Sequence, residues 1–154
     1  MIKVSTKGRY ALRILIDLAE HSGDKEYIAL KDIADRQGLS LKYLERILPM
    51  LVKGKIIEGV HGKGGGYKLN RKPAQYTVGE ILRLTEGDFA PISCLLADAD
   101  ECERQGECRT IGMWTKFYKM VNDFFDSISL DDLMVKDGIK SELISNDFEK
   151  YAGL

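Results

Sequence analysis

The glycine-rich segment between residues 61 and 67 constrains the fold more than any other part of the chain. It reads HGKGGGY, so four glycines fall within five residues. Glycine adopts positive φ angles at little cost and lets the backbone approach another surface closely. Apolar residues at 56–57 and 67–69 flank the segment, which is the pattern of two short strands joined by a tight turn. We therefore predict a β hairpin with a thin, cationic tip.

Three helices are predicted before this hairpin. The first begins at Ser5 or Thr6 and runs to about Ala19, and the second is short and ends at the break formed by residues 38–40. Ser40 then caps a longer helix that stops near Gly54. A helix, a turn containing glycine and a second helix form a helix-turn-helix, and a hairpin directly afterwards makes it winged. The inward residues predicted for the longer helix are Leu41, Leu44, Ile47, Leu48 and Leu51.

A nucleotide-binding loop is the rival interpretation of the glycines. Such a loop is followed by Gly-Lys-Ser or Gly-Lys-Thr and opens a helix, whereas this segment leads into the strand-like residues 67–69. The sequence therefore favours the wing.

The charge of the chain is unevenly divided. Residues 1–83 hold 16 Lys or Arg and 9 Asp or Glu, whereas residues 84–154 hold 7 and 15, although the net charge is only -1. The front half is therefore suited to a polyanion such as double-stranded DNA, and the rear half would repel it. The alternative is that both halves simply present solvated charged faces.

The predicted DNA contacts follow from this arrangement. In a helix-turn-helix the exposed early turns of the second helix enter the major groove, where Lys42 or Arg46 can donate to guanine and Glu45 can accept from cytosine. Tyr43 can reach a phosphate or a thymine methyl group. Alternatively, Glu45 and Arg46 are ordinary solvated residues. The candidate DNA-binding residues are Lys7, Arg9, Ser40, Lys42, Tyr43, Glu45, Arg46, His61, Gly62, Lys63, Gly64 and Gly65, with Arg13, Lys53 and Lys55 as further phosphate contacts.

All three cysteines, Cys94, Cys102 and Cys108, lie in one acidic stretch that follows a helix predicted from Val78 to about Glu86. Their number argues against a disulfide framework, and no pair has the short gap typical of zinc knuckles. Iron–sulfur clusters tolerate wider spacing. The neighbouring carboxylates are expected to raise the thiol pKa values, which argues against catalysis by these cysteines.

A long helix is predicted from Ile111. One apolar stripe repeats at intervals of three and four, as in the seam of a coiled coil, and Phe117, Met120 and Phe124 form a second stripe beside it. One stripe could dock onto the body while the other meets a second subunit in a homodimer; the alternative is a single buried helix. The predicted dimer-interface residues are Ile111, Trp114, Tyr118, Val121, Phe125 and Ile128.

Taken together, these motifs resemble the IscR-type family of iron–sulfur cluster regulators. The resemblance rests on residues 7–11, 39–45 and 62–67 and on the three cysteines, and it covers roughly residues 1 to 135. It implies a dimeric winged-helix transcription regulator, with Tyr43 and Glu45 in the recognition helix and the wing in the minor groove. For cluster-binding members it also implies that the three thiolates are ligands of a [2Fe-2S] or related cluster.

The fourth cluster ligand departs from the family pattern. Ile111 stands where IscR-like proteins carry a histidine, and Arg9 stands near the place where some relatives would need an acidic ligand. A nearby carboxylate such as Glu103 or Glu107, or solvent, is expected instead.

The sequence thus predicts a mostly α fold with a small β hairpin, namely a winged helix-turn-helix domain plus a long dimerisation helix. We expect a DNA-binding domain at 1–87, a cysteine-containing cluster loop at 88–110, the dimerisation helix and a short helix at 111–134, and a C-terminal tail at 135–154. No signal peptide or membrane span is apparent, so a cytoplasmic location is expected.

The function expected is that of a repressor or dual regulator that controls iron–sulfur cluster assembly genes. A cluster-free regulator that senses thiol oxidation or a partner protein is the first alternative. An electron carrier or cluster-delivery protein is the second, and no catalytic motif suggests an enzyme.

Overall fold

The computed structural model describes residues 3–23, 26–100 and 102–134; the predicted tail at 135–154 lies outside the described residues. It confirms a mostly α fold with one β hairpin. The elements are α1 (Thr6–His21), α2 (Leu30–Gln37), α3 (Leu41–Lys53), β1 (Ile57–Val60), β2 (Gly66–Leu69), α4 (Val78–Glu86), α5 (Ile111–Ser127) and α6 (Leu130–Leu133).

The helices begin where the sequence predicted. Ser5, Ser40 and Thr77 are the N-caps of α1, α3 and α4, and each side chain accepts a hydrogen bond from the backbone amide three residues later. These bonds satisfy backbone donors that would otherwise lack partners, which fixes the starting points of the helices.

The hairpin strands are antiparallel, with Ile57 opposite Leu69. The second strand is also tied to the connection between α1 and α2, because Ile28 and Tyr67 exchange two backbone hydrogen bonds of 2.9 Å. A Cβ atom on Gly66 would lie only 2.1 Å from the carbonyl oxygen of Ile28, so this close approach requires glycine. No sequence pattern predicted this third strand-like contact.

One main hydrophobic core joins the three N-terminal helices to the base of the hairpin. It also takes in Tyr76, whose hydroxyl donates to the carbonyl of Ile56 and accepts from the amide of Arg71, both at 2.7 Å. Leu130 of the short helix α6 is completely buried in the same core. The chain therefore returns to the N-terminal body after α5.

Leu41 differs from the prediction that it faces inward. It is 47% exposed, whereas Leu44, Ile47 and Leu48 are buried. Helical side chains lean towards the helix N-terminus, and Leu41 is the first residue of α3. Its side chain therefore projects past the edge of the core.

Ile128 requires a correction as a predicted interface residue. It lies just beyond the end of α5, it is 3% exposed, and it belongs to a second core cluster with Val78, Leu82 and Phe89. Its carbonyl accepts a 2.8 Å hydrogen bond from the amide of Val78, which holds it against α4. Ile128 is therefore covered by its own chain and presents almost no surface to a second subunit.

A buried carboxylate locks α1 to α2, and sequence reasoning missed it. Asp17 is 1% exposed, and its oxygens accept hydrogen bonds from Arg36 and from the side-chain amide of Gln37. Burial alone would raise the pKa of Asp17, but these hydrogen bonds outweigh it and leave the pKa below its ordinary value. The only signal in the sequence is an acid within the apolar stripe of α1.

Candidate nucleic-acid interface and cysteine loop

The outer face of α3 carries the candidate base-reading side chains. Ser40, Lys42, Glu45 and Arg46 are all exposed. In the part of the chain that the structure describes, no hydrogen bond or ion pair engages the side chains of Lys42, Glu45 or Arg46. The early turns of α3 therefore present one acid and two cations to solvent, and these groups can donate to or accept from base edges.

Tyr43 occupies a different position from its neighbours on α3, because it is only partly exposed. Its ring packs edge to face on Tyr10 of α1, with the centroids 5.2 Å apart and the planes at 75°. The guanidinium of Arg13 lies over Tyr10 at 5.2 Å and also donates to the backbone carbonyl and the side chain of Gln37. Arg13 thus supports the helix-turn-helix from within the chain, in addition to any contact with phosphate.

The tip of the wing is open, as its glycines predicted. His61, Gly62, Lys63 and Gly64 are exposed, and Gly65 is half-buried. Gly62 and Gly64 have φ angles of 96° and 77°, which only glycine adopts readily. Lys63 therefore lies on a narrow projection that is free to approach a polyanion.

A third group of candidate residues lies at the start of α1, where Lys7 and Arg9 are exposed. The carboxylate of Glu86, at the end of α4, accepts hydrogen bonds from the amide of Ser5 at 3.2 Å and from its hydroxyl at 2.7 Å. Sequence reasoning missed this contact, which spans 81 residues of chain. It fixes the start of α1 to the helix that leads directly into the cysteine loop.

The three thiols are free and accessible. Cys94 and Cys102 are exposed, and Cys108 is partly exposed. Cys94 and Cys102 line one surface depression together with Asp98 and Asp100. Cys108 lies farther along, shortly before α5.

The pKa of Cys108 contradicts the expectation that nearby carboxylates raise the thiol values. A hydrogen bond of 3.5 Å with the Thr110 hydroxyl, followed by contacts with backbone amides and the charge of Arg104, lowers the pKa of Cys108. Local hydrogen bonding outweighs the acidic composition of the loop at this position.

The three cysteines are chemically suited to bind an iron–sulfur cluster, because thiolates are the usual ligands of such clusters. Among the described residues, however, no three His, Cys, Asp or Glu side chains are gathered closely enough to hold a metal ion. Glu103 and Glu107, the candidates for a fourth ligand, are both exposed, and Glu103 lines a second depression beside Cys102. The cysteine loop therefore contains suitable ligands, but in the described structure they are too far apart to bind one metal ion together.

Helix α5 divides into two halves. Its C-terminal half packs against α4 and the start of the cysteine loop through Tyr118, Val121, Phe124 and Phe125. In the N-terminal half, Ile111 and Trp114 are only partly buried and belong to neither core cluster. Met113 and Phe117 are 56% and 40% exposed. The predicted coiled-coil seam thus turns inward along its second half, and the exposed apolar surface lies on the first half.

The helix pair, the following hairpin and the open cationic tip together define a winged helix-turn-helix protein that binds DNA. None of the described helices is both long enough and apolar enough to span a bilayer. A family profile described as Rrf2, iron-dependent transcriptional regulator, matches residues 4–136. The chain belongs to this family, so it is a transcriptional regulator and not an enzyme.

Known relatives agree with this assignment and confirm the resemblance to IscR. The chain is 33% identical over 139 residues to the HTH-type transcriptional regulator IscR of Aliivibrio salmonicida, which covers 90% of this chain and 81% of that one. Among solved structures, IscR of T. potens has a TM-score of 0.66 at 40% identity and covers 88% of each chain. CymR, the global cysteine regulator of B. subtilis, has a TM-score of 0.69 at 35% identity and covers 87% of this chain and 97% of its own.

Proposed function

We propose that this protein is a cytoplasmic repressor or dual regulator whose DNA binding responds to an iron–sulfur cluster, and that it controls cluster-assembly genes. The observation that carries the proposal is the placement of three free thiols on one accessible loop of a chain similar to IscR. The loop follows α4, and α4 is bound through Glu86 to the start of α1. A change in the loop can therefore reach the DNA-binding surface through a short series of contacts.

The proposed ligands are Cys94, Cys102 and Cys108, and we propose a [2Fe-2S] cluster. Such a group would supply a redox-sensitive cross-link between the thiolates. Because the described thiols are not gathered, they must move closer together to hold it, and residues 88–110 form the cluster loop in this proposal. Glu103 or Glu107 supplies the fourth ligand in this proposal, since both are exposed and close to the cysteines in sequence.

DNA contact is proposed to occur at three places. The exposed face of α3, with Ser40, Lys42, Tyr43, Glu45 and Arg46, reads bases in the major groove. The wing tip, from His61 to Gly65, enters the minor groove, and Lys7 and Arg9 neutralise phosphates without reading sequence. Support comes from the exposure of these groups, of which only Tyr43 and Gly65 are partly buried, and from the positive charge of the front half.

We propose that two chains associate through the first half of α5. Of the predicted interface residues, Ile111 and Trp114 lie on this half and are only partly buried. Met113 and Phe117 beside them are exposed and extend the apolar surface. A two-fold dimer would place two reading helices on half-sites about one helical turn apart. Light scattering of Phe117→Asp tests this interface: we expect monomers, with Lys116→Asp as the control that stays dimeric. A dimer of unchanged stability in Phe117→Asp would contradict it.

Oxygen-free purification tests the cluster proposal. We expect visible absorbance, with iron and acid-labile sulfide in stoichiometric amounts, and a change in DNA binding when the cluster is removed. Cys102→Ala should lose both, whereas Leu96→Ala, an exposed substitution in the same loop, should lose neither. If Cys102→Ala keeps the absorbance and the same DNA binding, the proposal is wrong.

A cluster-free thiol sensor is the second candidate. The separation of the thiols and the likeness to CymR favour it. In that case the iron-free protein should change its DNA affinity on treatment with diamide and recover with dithiothreitol. The cluster-bound regulator should instead lose its absorbance under the same oxidant.

A further inference from the structure

The base of the wing is held by three side chains outside the proposed DNA contacts. Tyr27 precedes α2, and its hydroxyl donates to Oε1 of Glu58 at 2.8 Å. Nζ of Lys68 lies 2.8 Å from the same oxygen and 4.8 Å from the centre of the Tyr27 ring. Glu58 and Lys68 are opposite each other in the antiparallel pair, so the cluster spans both strands.

The charges within this cluster are matched. The Lys68 ammonium, and after it the Tyr27 hydroxyl, keeps the pKa of Glu58 below its usual range. Both charged groups are therefore ionised at neutral pH. Lys68 is therefore paired within the chain, whereas Lys63 at the tip makes no ion pair with any residue that the structure describes.

The backbone supports the same connection. Ile28, the residue after Tyr27, exchanges hydrogen bonds of 2.9 Å with Tyr67 of the second strand. By contrast, Cβ atoms on Gly62 and Gly64 at the tip would meet nothing within 4 Å. The angle of the hairpin is therefore set at its base, and a small rotation there moves the tip by a larger distance.

We propose that Tyr27, Glu58 and Lys68 form a clamp that fixes the angle of the wing relative to α3, so that tip and helix engage one duplex together. Tyr27 and Glu58 act as positioning residues, and neither needs to touch DNA. This inference rests on the proposed contact between the wing and DNA.

Electrostatics alone and the clamp predict opposite effects on DNA binding when Glu58 is replaced. Removing the Glu58 carboxylate takes away a negative charge, so the net charge of the wing rises by one, and it frees the Lys68 ammonium. On charge alone, both changes should strengthen binding to phosphates. A clamp predicts weaker binding, because a loosely held wing must be ordered when DNA binds. The sign of the effect therefore separates the two explanations.

The test uses the full chain and a labelled duplex that the wild-type protein selects from a random-sequence pool. Tyr27→Phe keeps the ring and all charges, and we expect it to weaken binding about fivefold, the size of one side-chain hydrogen bond. Glu58→Ala should also weaken binding. Asp35→Ala, which removes an exposed carboxylate of α2, is the matched control and should bind as tightly as the wild type or more tightly. Thermal unfolding should remain close to that of the wild type in all three.

A double-mutant cycle shows whether the clamp acts through the tip. Tyr27→Phe should cause little further loss in a Lys63→Ala background, because the tip then no longer contributes. An equal loss in both backgrounds, or tighter binding by Glu58→Ala, would overturn the clamp. If Lys63→Ala weakens binding but Tyr27→Phe and Glu58→Ala do not, only the clamp is wrong. If Lys63→Ala itself has no effect, the wing does not contact DNA and both proposals fall.

Discussion

Asp17 and Arg36 form a two-point ion pair between α1 and α2, with Nε to Oδ1 at 2.9 Å and Nη2 to Oδ2 at 2.8 Å. The Asp17 side chain is completely buried, whereas about a third of the Arg36 side chain is exposed. The pair fixes α2, which packs on α3, and thereby positions the whole helix-turn-helix. The ion pair therefore supports the proposed DNA-binding surface from behind, although neither residue is among the proposed DNA contacts.

The first prediction concerns the loss of one partner of this pair. Arg36→Ala leaves a buried carboxylate without its cation, so we expect the free energy of unfolding to fall by about 3 kcal/mol. Lys31→Ala removes an exposed cation from the same helix and should change it by less than about 0.5 kcal/mol. Urea denaturation measures both, and equal effects in the two variants would contradict the proposed role of the pair.

The second prediction is a pH dependence. The pKa of Asp17 is lower in the folded chain than in the unfolded chain, so the unfolded state binds more protons at acid pH. The contribution of the pair is therefore complete above about pH 4 and is lost as the pH falls further. Urea midpoints of wild type and Asp17→Asn should differ at neutral pH and converge in acid. A gap that stays constant down to strongly acid pH would contradict this.

The third prediction concerns the return of the chain after α5. Leu130 is completely buried in the main core, so Leu130→Ala should destabilise the fold by about 2–5 kcal/mol. Leu96→Ala, at a position 39% exposed, should have little effect. A small effect of Leu130→Ala, similar to that of Leu96→Ala, would contradict a stabilising role of α6 in the main core.

The fourth prediction concerns sequence reading by α3. Glu45→Gln replaces a group that only accepts hydrogen bonds by an amide that both donates and accepts. The preferred base at one operator position should therefore change, and the free-energy difference between the old and the new base should shift by about 1–3 kcal/mol. Selection from a random-sequence pool measures this directly. An unchanged preference, accompanied only by tighter binding, would mean that Glu45 is a solvated residue near the phosphates.

Local patterns predicted the elements of this fold, whereas contacts between distant residues escaped prediction. The caps Ser40 and Thr77 and the positive φ of Gly64 follow from rules that act within a few residues. The contacts of Glu86 with Ser5 and of Tyr27 with Glu58 join segments far apart in sequence, and no spacing signals them.

The apolar stripe of α5 shows the same limit. Its period correctly predicted a long helix, but a period does not reveal which partner covers a stripe. In the structure, Val121 and Phe125 pack within the chain, and Ile128 is buried beyond the helix end. The three thiols were identified by composition, but their separation on the surface depends on the path of the loop.

The salt dependence of DNA binding by the wild type and by Lys63→Ala tests the central claim most directly. A cation that contacts phosphate releases a counterion, so Lys63→Ala should weaken binding to all sequences and reduce the slope of log affinity against log salt by about one. Lys31→Ala, on α2, should leave the slope unchanged. Identical slopes for wild type and Lys63→Ala would contradict the placement of the wing on DNA.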